Sequence, residues 1–188
     1  HAALLISTIG PSIGKKWEDI FGISEEIPTV GLQFSIHKST DEERNKLIPF
    51  KNKLTLRAIS GAGLIWNKCT GRKPFFNYCA GDDNTSDEDV ERLFNLFDPR
   101  VWECTISVIC ERNEGFTSRN THQLELATNF SEKMLTKGYN VRVFDPAGQN
   151  DVGGGCGQLF GVQRWMKENP SLVRPSCGNG LPVIHTPV

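Results

Sequence analysis

The sequence predicts an α/β fold, a parallel (βα)n half-barrel, and three observations carry that prediction. Short β-rich runs alternate along the chain with segments of helical pattern. The segments between the runs are long enough for the crossovers that parallel strands require. Each of five candidate strands also stops at a polar or small reactive residue, which gathers chemistry at one end of a sheet.

The strands are predicted near residues 3–8, 30–37, 75–79, 104–109 and 139–144. Thr40-x-x-Glu43 is a capping box that opens a helix over 41–48. Ser86-x-x-Asp89 opens a second, with Val90, Leu93, Phe94 and Phe97 on one stripe. A third spans about 121–137, with Leu124, Ala127, Phe130 and Met134 inward and Gly138 as its stop. A fourth follows Cys156 through Lys167. Residues 53–68 read as helical except that Gly61 and Gly63 interrupt the pattern. Residues 1–169 thus form one α/β domain, and residues 170–188, rich in proline and glycine, form an extended or disordered tail.

With 188 residues and 38% hydrophobic content, the chain can bury one good core. No apolar run approaches the roughly 18 residues a membrane helix needs, and the opening segment lacks a basic leader. A soluble, unsecreted, cytoplasmic protein is expected, with organellar or ribosome-associated placement as the variants. The chain opens on His1 and its first strand begins almost at once, which reads as a fragment or a processed product. The six cysteines, Cys69, Cys79, Cys104, Cys110, Cys156 and Cys177, form no CxxC pair and no zinc spacing, so reduced thiols are expected. The sequons at Asn84 and Asn129 read as coincidence in a protein that is not secreted.

The formal net charge of -1 argues against bulk polyanion binding, but the charges are unevenly spread. Residues 38–73 hold nine basic side chains against three acidic ones, leaving twelve basic and nineteen acidic elsewhere. Such a sector suits RNA phosphates, and it equally suits an ordinary solvated surface.

Ligands of parallel sheets bind beyond the carboxyl ends of the strands, where helix N-termini supply amide donors. The candidates there are Ser7 and Thr8, then Ser35, Ile36 and His37, then Cys79 with Asp82 and Asp83, then Arg112 and Asn113. Singly, each has an ordinary reading as a cap, a satisfied polar group or a turn residue; their shared end is the stronger argument. Cys156 follows Gly153, Gly154 and Gly155, which let a backbone approach a ligand and leave a thiol accessible at a predicted helix start. The competing reading is a flexible turn with an incidental cysteine. No Gly-Lys-Ser/Thr follows, so this is not a Walker phosphate loop.

The runs Leu5-Ile-Ser-Thr-Ile-Gly10, Leu32-Gln-Phe-Ser-Ile-His-Lys-Ser-Thr-Asp-Glu-Glu-Arg-Asn-Lys-Leu-Ile-Pro49 and Gly155-Cys-Gly-Gln-Leu159 carry a further reading. They resemble the carboxyl-terminal half of the radical S-adenosylmethionine 23S rRNA adenine methyltransferases, both carbon-2 and carbon-8 types. The similarity runs in order over most of the chain. It implies that Ser7, Ser35, Ile36, His37 and Asn113 contact S-adenosylmethionine and that Cys156 is methylated on sulfur. It further implies that a second S-adenosylmethionine is cleaved to a 5'-deoxyadenosyl radical, which activates that methyl group for attack on adenine. A thioether suits this task because adenine carbon-2 is not nucleophilic, and the hard chemistry belongs to the cofactor. RNA is the implied partner, along with a missing amino-terminal half or another protein to cover the open sheet edge.

The departures from that pattern matter as much. No CxxxCxxC motif occurs in these 188 residues, so a 4Fe-4S cluster is expected only if the missing half is present. The segment before the reactive cysteine reads Gly148-Gln-Asn-Asp151 where the family has Arg-Gly-Asp-Asp. By itself the chain is not expected to perform radical chemistry. One alternative is a non-catalytic relic that binds RNA or a ribosome-like partner. Another is a small α/β thiol enzyme with Cys156 as nucleophile and His37 as base, disfavoured by the lack of an oxyanion device.

Overall fold

The computed structural model of the protein describes residues 4–109 and 121–145, together with Glu168 and the pairs 173–174 and 183–184. Alternating elements appear in the order β1 (Leu4–Thr8), α1 (Lys16–Glu26), β2 (Val30–Ser35), α2 (Asp41–Leu47) and α3 (Leu56–Thr70). They continue as β3 (Phe75–Ala80), α4 (Asp87–Leu96), β4 (Glu103–Val108), α5 (Thr121–Thr136) and β5 (Val141–Phe144). Two short strands, β6 (Val173–Arg174) and β7 (Val183–Ile184), pair antiparallel within the predicted tail.

Strands β1 to β5 form one parallel sheet in sequential order, the arrangement of an opened barrel. In register, Ser7 lies beside Gln33, Ser35 beside Asn77, Asn77 beside Thr105, and Thr105 beside Arg142. Because side chains alternate along a strand, β2 to β4 divide into two faces. Leu32, Phe34, Ile36, Phe76, Tyr78, Ala80, Cys104, Ile106 and Val108 share one core with Trp17 and Phe21 of α1, Ile59 and Trp66 of α3, Val90 and Leu93 of α4, and Phe130 and Met134 of α5. The opposite face carries Gln33, Ser35, Asn77, Cys79, Thr105 and Ser107.

The helices begin where local chemistry predicts. Thr40 accepts from Glu43 N–H at the start of α2, and Ser86 and Asp89 complete a reciprocal capping box on α4. Gly138 closes the turn after α5 at φ 87°, and Gly71 caps α3 at φ 69°, both in the left-handed region. Helix α3 runs unbroken through Gly61 and Gly63. Gly63 is required by packing, since a Cβ there would lie 1.9 Å from the Trp102 ring.

Several expectations need correction. Helix α1 carried no explicit sequence assignment; its inward residues are Trp17, Phe21 and Ser24, and Trp17 Nε1 donates to the Pro11 carbonyl at 3.0 Å. Phe94 and Leu124 were expected inward but are exposed, Phe94 beneath the Lys137 ammonium. The apolar stripes of α4 and α5 are therefore narrower than predicted, and the polar Gln123 is the inward residue beside Leu124. Strand β2 ends at Ser35 rather than at residue 37, because His37 adopts φ 60°.

Candidate functional site

The carboxyl end of β2 is tethered by a buried arginine. Arg44 of α2 is fully buried, and its guanidinium donates to the carbonyls of Leu54 at 2.8 Å, Ile9 at 2.6 Å and Ser35 at 3.5 Å. One side chain thereby joins the segment after β1, the end of β2 and the approach to α3. Burial draws Arg44 below its ordinary pKa, while the nearby Asp41 carboxylate opposes that shift.

Beyond Ser35, the amides of Ile36 and His37 both donate to the Asn77 carbonyl, at 3.0 and 3.4 Å. The Ile36 side chain is wholly inside the hydrophobic core, so any contact it makes with a ligand is through its backbone. His37 is the one non-glycine residue with positive φ among the described residues. For a bulky side chain that conformation is strained and persists only where neighbours enforce it. Its Nδ1 accepts from the Cys79 N–H at 3.3 Å. Burial, helped by the Arg44 charge, lowers His37 to about 4. The imidazole is therefore neutral at physiological pH, with its proton on Nε2.

The polar face of the sheet carries two hydrogen-bonded groups. Gln33 donates to Ser7 Oγ at 3.2 Å and accepts from Thr105 at 3.1 Å, and Arg142 donates to Thr105 at 3.1 Å. Ser107 donates to Asn77 Oδ1 at 2.7 Å. The Arg142 guanidinium also lies 5.5 Å from the centre of the Phe75 ring. Sequence reasoning missed Gln33, Asn77, Thr105, Ser107 and Arg142. The signal was present: Leu32-Gln-Phe-Ser-Ile36 and Cys104-Thr-Ile-Ser-Val108 alternate strictly, whereas a parallel strand with two covered apolar faces reads as a continuous hydrophobic run.

At the end of β3, Asp82 contacts His122 at 2.7 Å and Asp83 contacts Lys38 at 2.5 Å, which draws the start of α5 and the segment after β2 to the same loop. Of the candidate site residues, the structure brings Ser7, Ser35, Ile36, His37 and Cys79 to one side of the sheet or its carboxyl edge. Asn113 and Cys156 lie outside the described residues. Three of the nine basic residues in the predicted sector serve the fold: Lys38 and Arg44 are buried, and Arg72 donates to the carbonyls of Pro28 at 2.6 Å and Val30 at 2.8 Å. Lys46, Lys51, Arg57, Lys68 and Lys73 are exposed.

An iron-sulfur cluster does not fit the described residues. Cys69 is exposed on α3, Cys79 is the penultimate residue of β3, and Cys104 is buried on the helix side of β4 with its thiol pushed up to about 12 by burial. Among the described residues there is no group of three or more His, Cys, Asp or Glu side chains that could hold a metal. S-adenosylmethionine fits better, because the polar face and strand ends offer hydroxyl, amide and imidazole partners to its ribose, adenine and amino-acid parts. No helix among the described residues is long and apolar enough to cross a membrane.

No protein-family model matches the chain. Curated proteins do. A probable dual-specificity RNA methyltransferase RlmN from Finegoldia magna is 30% identical over 132 residues, covering 69% of this chain and 37% of the relative. The ribosomal RNA large subunit methyltransferase Cfr from Bacillus velezensis is 29% identical over 171 residues, covering 84% of this chain and 45% of that protein. The chain thus spans less than half the length of either relative. The crystal structure of a radical SAM methyltransferase from Sphaerobacter thermophilus superimposes with a TM-score of 0.63 at 23% identity, over 82% of this chain and 43% of that one. That likeness establishes the shared backbone of a partial barrel. Over most of its length this chain is a homologue of the RlmN and Cfr radical SAM rRNA methyltransferases.

Proposed function

We propose that this chain is the carboxyl-terminal portion of a radical S-adenosylmethionine rRNA adenine methyltransferase, binding S-adenosylmethionine and RNA, with Cys156 as the methyl-carrying cysteine. The observation that carries the reading is the braced Ser35-Ile36-His37 strand end beside a polar sheet face, in a chain homologous to RlmN and Cfr. Homologues named as RNA and ribosomal RNA methyltransferases support an RNA substrate.

In this site S-adenosylmethionine supplies an electrophilic methyl group on its sulfonium. The chain's own residues bind and orient it. Ser7 and Ser35 offer hydroxyls from adjacent strands, and neutral His37 offers its Nε2–H as a donor. Asn113 would complete the contacts, and the Cys156 thiolate would take the methyl group, with S-adenosylhomocysteine released as the neutral thioether. The 4Fe-4S cluster that radical chemistry needs belongs to a part of the enzyme other than the described residues.

A second reading, a non-catalytic RNA- or ribosome-associated binding protein, draws on the Gly148-Gln-Asn-Asp151 segment, which departs from the family's Arg-Gly-Asp-Asp. The thiol-enzyme alternative is weakened by His37 itself. Its Nδ1 is already an acceptor for Cys79 N–H, and burial resists protonation, so it is a poor general base.

Peptide mass spectrometry of the protein from its native source tests the proposal. A single added methyl on the Cys156 peptide is expected. A uniformly unmodified Cys156 in cells whose rRNA carries the methylated adenine would overturn the methyl-carrier role and leave the binding-protein reading.

A further inference from the structure

His37 is strained, yet it is gripped on both sides of its peptide. Asn84, in the loop between β3 and α4, is 4% exposed. Its Nδ2 donates to the His37 carbonyl at 2.9 Å and to the Cys79 carbonyl at 2.9 Å. Its Oδ1 accepts from Gly81 N–H at 2.7 Å, and its own carbonyl accepts from the Tyr78 hydroxyl at 2.7 Å. Only one orientation of the amide satisfies these partners, since two carbonyls need donors and one N–H needs an acceptor. Neither aspartate nor leucine could replace it: the first has no donors, and the second leaves buried polar groups without partners.

The geometry points to Asn84 as a positioning residue for the ligand site: it locks His37 in its left-handed backbone conformation and so fixes the imidazole with Nε2–H as its donor. The inference rests on the proposed S-adenosylmethionine site and adds the device that preorganises it. The chain of causes is short. Asn84 ties the His37 and Cys79 carbonyls to one amide, which holds the ends of β2 and β3 together. That spacing lets Cys79 N–H reach His37 Nδ1, and an accepting Nδ1 leaves the proton on Nε2. A ligand atom that meets this donor must be an acceptor, such as a ribose hydroxyl oxygen, an adenine ring nitrogen or a carboxylate. The charged groups around the imidazole come from every neighbouring element: Arg44 on α2, Lys38 next in the chain, and Asp83, which pairs with Lys38 from the β3–α4 loop.

This placement also settles what the sequon at Asn84-Thr-Ser86 does. The Asn84 amide is buried and fully engaged, so in this fold it is a brace rather than a modification site.

The test is 15N NMR of histidine-labelled full chain, combined with equilibrium dialysis against S-adenosylmethionine, for the unmodified sequence, Asn84→Ala, Asn84→Asp and His37→Ala. The unmodified chain should show a His37 ring protonated at Nε2 and neutral down to about 4. Asn84→Ala should mix the two tautomers, move the titration toward 6.5 and weaken S-adenosylmethionine binding by about tenfold or more. Asn84→Asp keeps an acceptor for Gly81 while losing both donors, and it should reproduce the tautomer change if the alanine variant does not fold. A folded variant with the His37 tautomer and titration unchanged overturns the inference. So does unfolding of both variants, which would make Asn84 a residue of general stability. If His37→Ala binds S-adenosylmethionine normally, the proposed site is wrong, while the imidazole spectra still decide whether Asn84 positions His37.

Discussion

The indole of Trp102 fills the space in which a side chain at Gly63 would stand, with ring atoms 1.9 to 2.7 Å from an ideal Cβ. The ring cannot readily move aside. It packs 5.0 Å from the Phe97 ring and 6.1 Å from that of Phe34, in the middle of the core. Gly63→Ala gains roughly 1 kcal/mol of helix propensity but incurs about 1–3 kcal/mol or more of overpacking. Net destabilisation is expected, read as a lower urea midpoint at unchanged slope. Gly61→Ala is the control: nothing lies within 4 Å of its added Cβ, so it should stabilise by about 0.5–1 kcal/mol. Equal effects at the two glycines would contradict the packing account.

His37 predicts an acid limb in the stability profile. Its folded pKa of about 4 lies below the ordinary 6.5, so between those values the unfolded chain binds the proton that the folded chain refuses. Stability from this group is complete above pH 6.5 and is lost as pH falls toward 4. His37→Gln should flatten that part of the curve in denaturant titrations taken across the window. An unchanged slope would mean that His37 titrates normally.

Arg44 should tolerate lysine poorly. A lysine ammonium has no planar fork with which to serve the separate carbonyls of Ile9, Ser35 and Leu54. Arg44→Lys is expected to cost about 1–3 kcal/mol, the range for leaving buried acceptors unsatisfied. S-adenosylmethionine affinity should fall with it, because the Ser35 carbonyl loses its tether. A variant with full stability and full affinity would show that the three contacts are incidental.

Asp89 is 3% exposed and accepts from Ser39 at 2.5 Å, from the Ser86 hydroxyl and amide at 2.7 and 3.0 Å, and from Arg92 at 2.7 Å. An amide at this position retains one acceptor oxygen. Asp89→Asn should therefore destabilise by about 1.5–3 kcal/mol, while Ser86→Ala, which removes the cap and one donor to Asp89, should cost about 1 kcal/mol. Thermal melts of the two variants and their double mutant give the comparison, with a less-than-additive double mutant expected because both act on one network.

All five strands of the parallel sheet were legible from the β-rich runs, and three helices from two capping boxes and one glycine stop. The site was legible only in part. Ser7, Ser35 and His37 stand out because strand ends are where ligands bind, but Asn84 and Arg44 gave no such signal. One was read as a chance sequon and the other as part of a basic surface. Their roles depend on which carbonyls the fold brings within reach, and carbonyl positions leave no mark on residue identity. The exposed Phe94 and Leu124 show the converse limit. A helical stripe defines a face about a third of the circumference wide, and the neighbouring strands decide which of its edges stays wet.

Every strand of the main sheet finds its neighbours in the adjacent βα units of the chain, as with Ser7 beside Gln33, Cys79 beside Ser107 and Thr105 beside Arg142. No pairing among the described strands of the sheet waits on a distant segment, so loop closure between successive strands stays inexpensive. The sheet can therefore assemble unit by unit, as a zipper does. Among the described strands β3 lies innermost, with two strands on either side, so its amides should exchange more slowly than those of β2 and β4.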